Sequence, residues 1–201
     1  MDDWSTPGDQ GLQVIALVAS VGGLSAVSQV LRKLPADLHA GVIVLIHQAP
    51  DRENTLVHLL GAQSSLPVEV AADDVPLQAG TVVVAPPGKH TLVAGGPTVV
   101  LIVSGAAPPS RPSADLLLTT LAITCGPRAT AVILSGGGHD GATGATAIHR
   151  LGGTVLASSE ASSERFSMPQ ATIERGGTID QVVTLNEIAD RLAAIVAARA
   201  L

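Results

Sequence analysis

Val14-Ile15-Ala16-Leu17-Val18-Ala19-Ser20-Val21-Gly22-Gly23 is the stretch on which the reading of the fold turns. Residues 14–19 form an unbroken apolar run rich in β-branched side chains, the pattern of a parallel strand covered on both faces. Ser20 stands at the carboxyl end of that strand. Gly22 and Gly23 lack a Cβ, so the chain can turn tightly and let another group approach its backbone. A helix is expected to begin near Leu24. Open α/β sheets bind ligands at the carboxyl ends of their strands. A serine there, backed by helix N-terminal amides, can be a nucleophile or an anion ligand. It can equally be an ordinary helix N-cap, and the other strand ends must decide.

Working outward, Leu24, Val27, Val30, Leu31 and Leu34 keep helical spacing up to Pro35. Val42 to Ile46 reads as a second strand that stops at His47. A short helix is expected from Glu53 to Gly61 and a short strand over Val68 to Val70. Thr81 to Ala85, Thr91 to Val93 and Thr98 to Val103 are strand-like, with no helix-length segment between them. They are expected to pair antiparallel, as a hairpin insert at the sheet edge. Pro108 to Pro112 is a proline-rich loop. Ser113 is placed to cap a helix from Ala114 to about Thr124, with Asp115 in its first turn. Ala131 to Leu134 is another buried strand, followed by Ser135-Gly136-Gly137-Gly138-His139-Asp140-Gly141 and a helix to about Leu151. Thr154 to Ala157 and Gln181 to Thr184 complete the strands. A polar loop over 158–169, a short helix from Pro169, and a final helix capped by Thr184 or Asn186 and ending near Ala200 complete the chain.

Strands alternating with helices indicate an α/β fold: a doubly wound, mostly parallel sheet flanked by helices, with an antiparallel hairpin insert. Residues 1–10 read as a loose polar tail and residues 11–201 as a single domain. The 201 residues are 46% hydrophobic, enough for one substantial core. The net charge is −6 and aromatic residues make up 1% of the chain, which argues against a nucleic-acid partner. No apolar run reaches the length of a membrane span, so no membrane insertion is expected. The lone Cys125 suits a reducing compartment and reads as a small buried hydrophobe. The cytoplasm is the expected location.

The strand ends carry complementary chemistry: Ser20, His47 and Asp140. If their strands are neighbours, a hydroxyl, an imidazole base and a carboxylate converge on one edge. Glycines around Ser20 and before Asp140 leave backbone amides free to face an oxyanion. The order Ser, His, Asp matches neither the α/β-hydrolases nor the major serine proteases. Each residue has a structural alternative: His47 can bond a backbone carbonyl, and Asp140 can cap the helix after Gly141. As a mere cap, Asp140 would tolerate asparagine, and its exchange is expected to change stability little. His139 and Asp140 lack further ligands at a metal-binding spacing, so no metal is expected. The first turn lacks G-x-G-x-x-G, and His47 stands where a ribose-binding acid belongs, which argues against a dinucleotide.

The stretch from about Val14 to Val196 resembles the catalytic domain of the bacterial chemoreceptor methylesterases, the CheB-type protein-glutamate methylesterases. The resemblance lies in Ala19-Ser20-Val21-Gly22-Gly23, Ile46-His47-Gln48, Ala85-Pro86-Pro87-Gly88-Lys89-His90 and Arg111-Pro112-Ser113-Ala114-Asp115. It continues in Val132-Ile133-Leu134-Ser135-Gly136 with His139-Asp140-Gly141, then in Glu160-Ala161-Ser162 and Met168-Pro169. It implies a Ser20–His47–Asp140 triad that hydrolyses γ-glutamyl methyl esters to glutamate and methanol, with glutamine deamidation as a side activity and no cofactor. It also implies that Val21, Gly22, Gly137, His90, Arg111 and Met168 serve the oxyanion hole or line the cleft. The implied partner is the cytoplasmic region of a methylated chemoreceptor. The rival reading is a catalytically weak partner-binding or scaffold domain that kept this fold.

The chain departs from the family pattern in three places. Val21 replaces a threonine, Gly137 a methionine and His139 an asparagine. The family's usual phosphorylatable receiver domain is not read in these residues, so regulation is expected to come from a separate protein.

Overall fold

The computed structural model describes residues 11–50, 55–105 and 111–199. The expected tail over 1–10, the start of the helix at Glu53, most of the loop from Pro108 and the helix end at Ala200 lie outside the described residues.

The chain begins with β1 (Gln13–Ala19), α1 (Gly23–Lys33), β2 (Ala40–Ile46), α2 (Leu56–Gly61) and β3 (Val68–Val70). It continues through β4 (Val75–Pro76), β5 (Val82–Val84), β6 (His90–Ala94), β7 (Thr98–Ile102) and α3 (Ala114–Cys125). It ends with β8 (Ala129–Ile133), α4 (Ala142–Arg150), β9 (Thr154–Ser158), α5 (Ser167–Ile173), β10 (Gln181–Val183) and α6 (Leu185–Ala198). Seven strands form one parallel sheet in the order β10-β9-β8-β1-β2-β5-β3. Three more form a small antiparallel sheet, β4-β7-β6.

β1 is the central strand, and every one of its residues is buried. Ile15, Leu17 and Ala19 face a core shared with α1 and α6. Val14, Ala16 and Val18 face the opposite core, shared with α3 and α4. A strand covered on both faces has no polar side to show, which is why its sequence reads as a continuous apolar run. Ser113 caps α3, accepting from the Leu116 amide. Thr184 rather than Asn186 caps α6, in a capping box with Glu187.

One expectation fails. Residues 82–84 do not join the antiparallel insert; β5 pairs parallel with β2 and with β3. The return from β3 to β5 is made through β4, which crosses into the small sheet, rather than through a helix. A parallel crossover needs length, not a helix, and the loop between β3 and β5 supplies it. The insert is therefore the β6–β7 hairpin with β4 on its edge. It is fastened to α3, where Thr120 Oγ1 accepts from the Val93 amide and Thr124 Oγ1 donates to the Val93 carbonyl.

α3 and α4 pack closely where Gly144 meets Leu118. A Cβ at Gly144 would lie 2.5 Å from Leu118 Cβ and 2.9 Å from the Asp115 carbonyl oxygen. Alanine normally stabilises a helix interior relative to glycine by about 1 kcal/mol. Here Gly144→Ala should instead destabilise the fold by about 1–3 kcal/mol through overpacking, measured as a lower urea midpoint.

Candidate active site

The sheet places the nucleophile candidate. β1 and β2 pair in register, Ala19 opposite Ile46, so Ser20 and His47 leave adjacent strands at the same level. The His47 amide donates to the Ala19 carbonyl at 3.0 Å. β8 flanks β1 on the other side, and the loop after it carries Asp140. The three strands are neighbours, as the sequence required for convergence.

After Ser20 the chain turns through Gly22, whose φ of 76° is left-handed and suits a residue without Cβ. The Gly23 amide closes this turn on the Ser20 carbonyl at 2.9 Å, and α1 begins. Ser20 is not the N-cap; that position belongs to Gly22, which makes no side-chain cap. Ser135, buried at the end of β8, ties the turn in place. Its carbonyl accepts from the Ser20 amide at 2.9 Å and its Oγ donates to the Val21 carbonyl at 2.8 Å. Ser135 Oγ also accepts from the Arg165 amide at 2.9 Å, so one hydroxyl joins three loops.

His47 Nε2 lies 2.8 Å from Asp140 Oδ2. With that nitrogen engaged, Nδ1 is the one left to exchange a proton with a hydroxyl. Asp140 accepts on both oxygens. Oδ2 takes His47 and the Ala114 amide at 2.8 Å; Oδ1 takes the Asp115 amide at 2.9 Å and Ser113 Oγ at 3.1 Å. It therefore sits at the N-terminus of α3, where the helix dipole favours a negative charge. The expected cap on the following helix is a different residue. Asp115 Oδ1 accepts from the Gly141 and Gly144 amides at 3.0 and 2.8 Å, so α3 and α4 exchange carboxylates. Burial alone would raise the Asp140 pKa, but the hydrogen bonds from His47, Asp115 and Ala114 outweigh it and hold the carboxyl below its ordinary range.

Two grooves meet at His47 and Gln48. One, of about 890 Å³, contains Ser20 and runs along α1. The other, of about 830 Å³, contains Asp140, His139, Gly137 and Leu116. Among the described residues, the amides of Val21, Gly22 and Gly137 donate to no protein acceptor and are available to an oxyanion. Val21 is 49% exposed, at the mouth of the site.

Two residues expected at the cleft are elsewhere. His90 is fully buried; its Nδ1 accepts from the Ser113 amide at 3.2 Å and its Nε2 bonds Ser104 Oγ at 2.8 Å. Burial, then the nearby Arg111 charge, lowers its basicity against the pull of Asp140. It is a neutral strut under the α3 cap. Met168 is also fully buried, packed beneath Gly136, next to Ser20. Arg111 is half-buried beside His90. Sequence reasoning missed the structural part played by Ser135. Its one signal was a hydroxyl at the end of an otherwise apolar strand.

The four donors on Asp140 correct the expectation that Asp140→Asn would change stability little. An amide NH₂ in place of either oxygen would face a donor. Asp140→Asn should cost about 1–3 kcal/mol of stability in urea unfolding. The sign of the pH effect follows from the lowered carboxyl pKa. Its contribution is present above about pH 4 and lost as pH falls further, so the gap between wild type and Asp140→Asn should narrow there.

The sequence profile of the family described as CheB methylesterase matches residues 15–192. A protein-glutamate methylesterase/protein-glutamine glutaminase of Moorella thermoacetica is 37% identical over 191 residues, covering 92% of this chain and 45% of its own. Protein-glutamate methylesterase FrzG of Myxococcus xanthus is 38% identical over 175 residues, covering 87% of this chain and 52% of its own. The chain thus spans about half the length of these curated relatives. The catalytic domain of Thermotoga maritima CheB methylesterase superposes with a TM-score of 0.86 at 29% identity, covering 92% of this chain and 99% of that one. A fold, a sequence match and a shared order of motifs agree, and the chain belongs to the CheB methylesterase family.

Proposed function

We propose that this domain hydrolyses γ-glutamyl methyl esters on chemoreceptor-like proteins, releasing methanol and leaving glutamate. The observation that carries the reading is the convergence of Ser20 and His47 on adjacent strand ends, with Asp140 2.8 Å from His47 Nε2. The printed names of the relatives support the ester and, in part, the glutamine side chain as substrates. The receptor region implied as substrate puts the reaction in the cytoplasm. Among the described residues, no helix is long and apolar enough to cross a membrane.

In this reading Ser20 Oγ attacks the ester carbonyl while His47 Nδ1 takes its proton. Asp140, bonded to Nε2–H, fixes that tautomer and stabilises the imidazolium. The negative oxygen of the tetrahedral intermediate turns to the free amides of Val21, Gly22 and Gly137. Collapse breaks the ester C–O bond, and His47 returns the proton to the departing methanol. Water, deprotonated by His47, then attacks the acyl-serine and regenerates Ser20 Oγ–H. A glutamine side chain would follow the same path and release ammonia. Every charge that develops is met by a residue or amide of this chain.

Ser20→Ala should lower methanol release from a methylated receptor fragment by about 10³-fold or more. Circular dichroism should show an unchanged fold, because Ser20 lends only its backbone to the turn. A phosphonate probe should label the wild-type serine and not the variant. Turnover close to wild type in Ser20→Ala would assign the chemistry to another residue. Asp140→Asn should lower kcat severely; the same exchange costs about 10⁴ in a serine protease.

A further inference from the structure

The groove beside Asp140 meets the Ser20 groove at His47, and the hydrolysis derived above assigns nothing to the space within it. Its wall is mostly apolar, formed by the exposed Ala49, the half-buried Leu116 and the bare backbone of Gly137 and Gly138. The two glycines differ in what requires them. Gly138 has a φ of 82°, a left-handed conformation that favours glycine. Gly137 has no left-handed φ, and a Cβ there would meet nothing within 4 Å. Neither backbone conformation nor crowding excludes a side chain at 137. What glycine does there is leave the groove open. The opening adjoins the reacting centre: a Cβ on the preceding residue, Gly136, would lie 3.0 Å from Ser20 Cβ.

Resting on the proposed ester hydrolysis, we propose that this groove receives the alcohol half of the ester. The domain then also hydrolyses γ-glutamyl esters of unbranched alcohols longer than methanol, and Gly137 sets the length admitted. An ester carbonyl at Ser20 carries two arms, acyl and alkoxy. The bond that breaks joins the acyl carbon to the alkoxy oxygen, and His47 hands its proton to that oxygen. The alkoxy arm therefore leaves along His47. His47 borders both grooves: one contains Ser20, to which the acyl arm stays bonded, and the other begins where the departing oxygen is protonated. A methyl group leaves a space of about 830 Å³ almost empty. Propyl and butyl arms extend into it past Gly137 toward Leu116. Water then cleaves the acyl-serine as before, so glutamate is the common product and only the alcohol changes. Full burial of a methylene strengthens binding by about four-fold, and a groove open to solvent should realise about two-fold.

The test uses one short peptide prepared as its γ-methyl, γ-propyl and γ-butyl glutamate esters, so that only the alcohol differs. Binding to the Ser20→Ala protein is read by fluorescence anisotropy, and alcohol release by wild type is read by gas chromatography. Affinity should rise about eight-fold from methyl to butyl, and wild-type kcat/KM should rise in the same order. Gly137→Ala and Gly137→Met are made in both backgrounds and checked for an unchanged thermal midpoint. Gly137→Met fills the opening and should bring the butyl-to-methyl ratio to about one or below, while Gly137→Ala should keep most of the preference. A change in loop stiffness alters all three esters alike and cancels in the ratio. Equal affinities for the three esters, a preference that Gly137→Met retains, or an equal loss in both variants would overturn the assignment, even where wild type cleaves the methyl ester. A preference that falls with the size of the side chain at 137, with the alcohols released in the same order, upholds it. Where wild type releases methanol from a methylated receptor fragment but cleaves no peptide, the binding series decides. If the receptor fragment and all three peptides stay intact, the hydrolase reading falls and the alcohol site with it.

Discussion

Two aspartates hold the site together by capping each other's helices. Asp140 precedes α4 but accepts from the first amides of α3; Asp115 belongs to α3 but accepts from the amides that begin α4. Each helix dipole meets a carboxylate, and each is worth a fraction of a kcal/mol to about 2 kcal/mol in partly buried settings. The larger consequence is positional. The exchange sets the spacing of α3 and α4, and it fixes the Asp140 carboxylate by backbone amides rather than by a flexible neighbour. His47 then meets a carboxylate whose orientation is already determined. His90 and Ser113 reinforce the same corner from below.

Ser20 is positioned by a different device. Ser20 sits between β8 and β2, where the chain leaves the sheet toward opposite sides, the usual place for a ligand in an open α/β sheet. Its own turn supplies amides, while Ser135 and the segment around Arg165 hold that turn from the far side. Ser20 and His47 are thus fixed by adjacent strands, and the Asp140 carboxylate by a helix pair. Rigid elements carry all three groups, which suits a reaction that depends on placement.

What the sequence disclosed, and what it hid, follows from the range of the interactions. β1, β2 and β8 were legible because burial on both faces writes itself into consecutive residues. Ser20 and His47 stood out as candidates because they are the polar residues just after such runs, and Asp140 because it is the carboxylate of the glycine-rich turn after β8. β5 was misplaced because its three residues carry no mark of which sheet they join. The alternative of Asp140 as cap of the following helix does not hold because local rules link a cap to the helix that follows it, whereas this carboxylate reaches across to α3. His90 and Met168 were placed at the cleft because proximity along a motif says nothing of depth. Both lie under the site they were expected to line.

The interactions that finish the site also join the ends of a long chain. His47 and Asp140 are 93 positions apart, and Ser135 Oγ is 114 from the Val21 carbonyl it binds. Closing loops of this size costs entropy before any contact repays it. On a ribosome adding about 5–20 residues per second, β1 and β2 emerge seconds before β8 does. During that interval β1, an apolar strand buried along its whole length in the finished fold, has one ladder edge open. The nascent half therefore carries an open strand edge and a Ser20 turn not yet tied down by Ser135. Protection of that edge and the anchoring of the Ser20 turn by Ser135 arrive together, with β8 and the residues just after it.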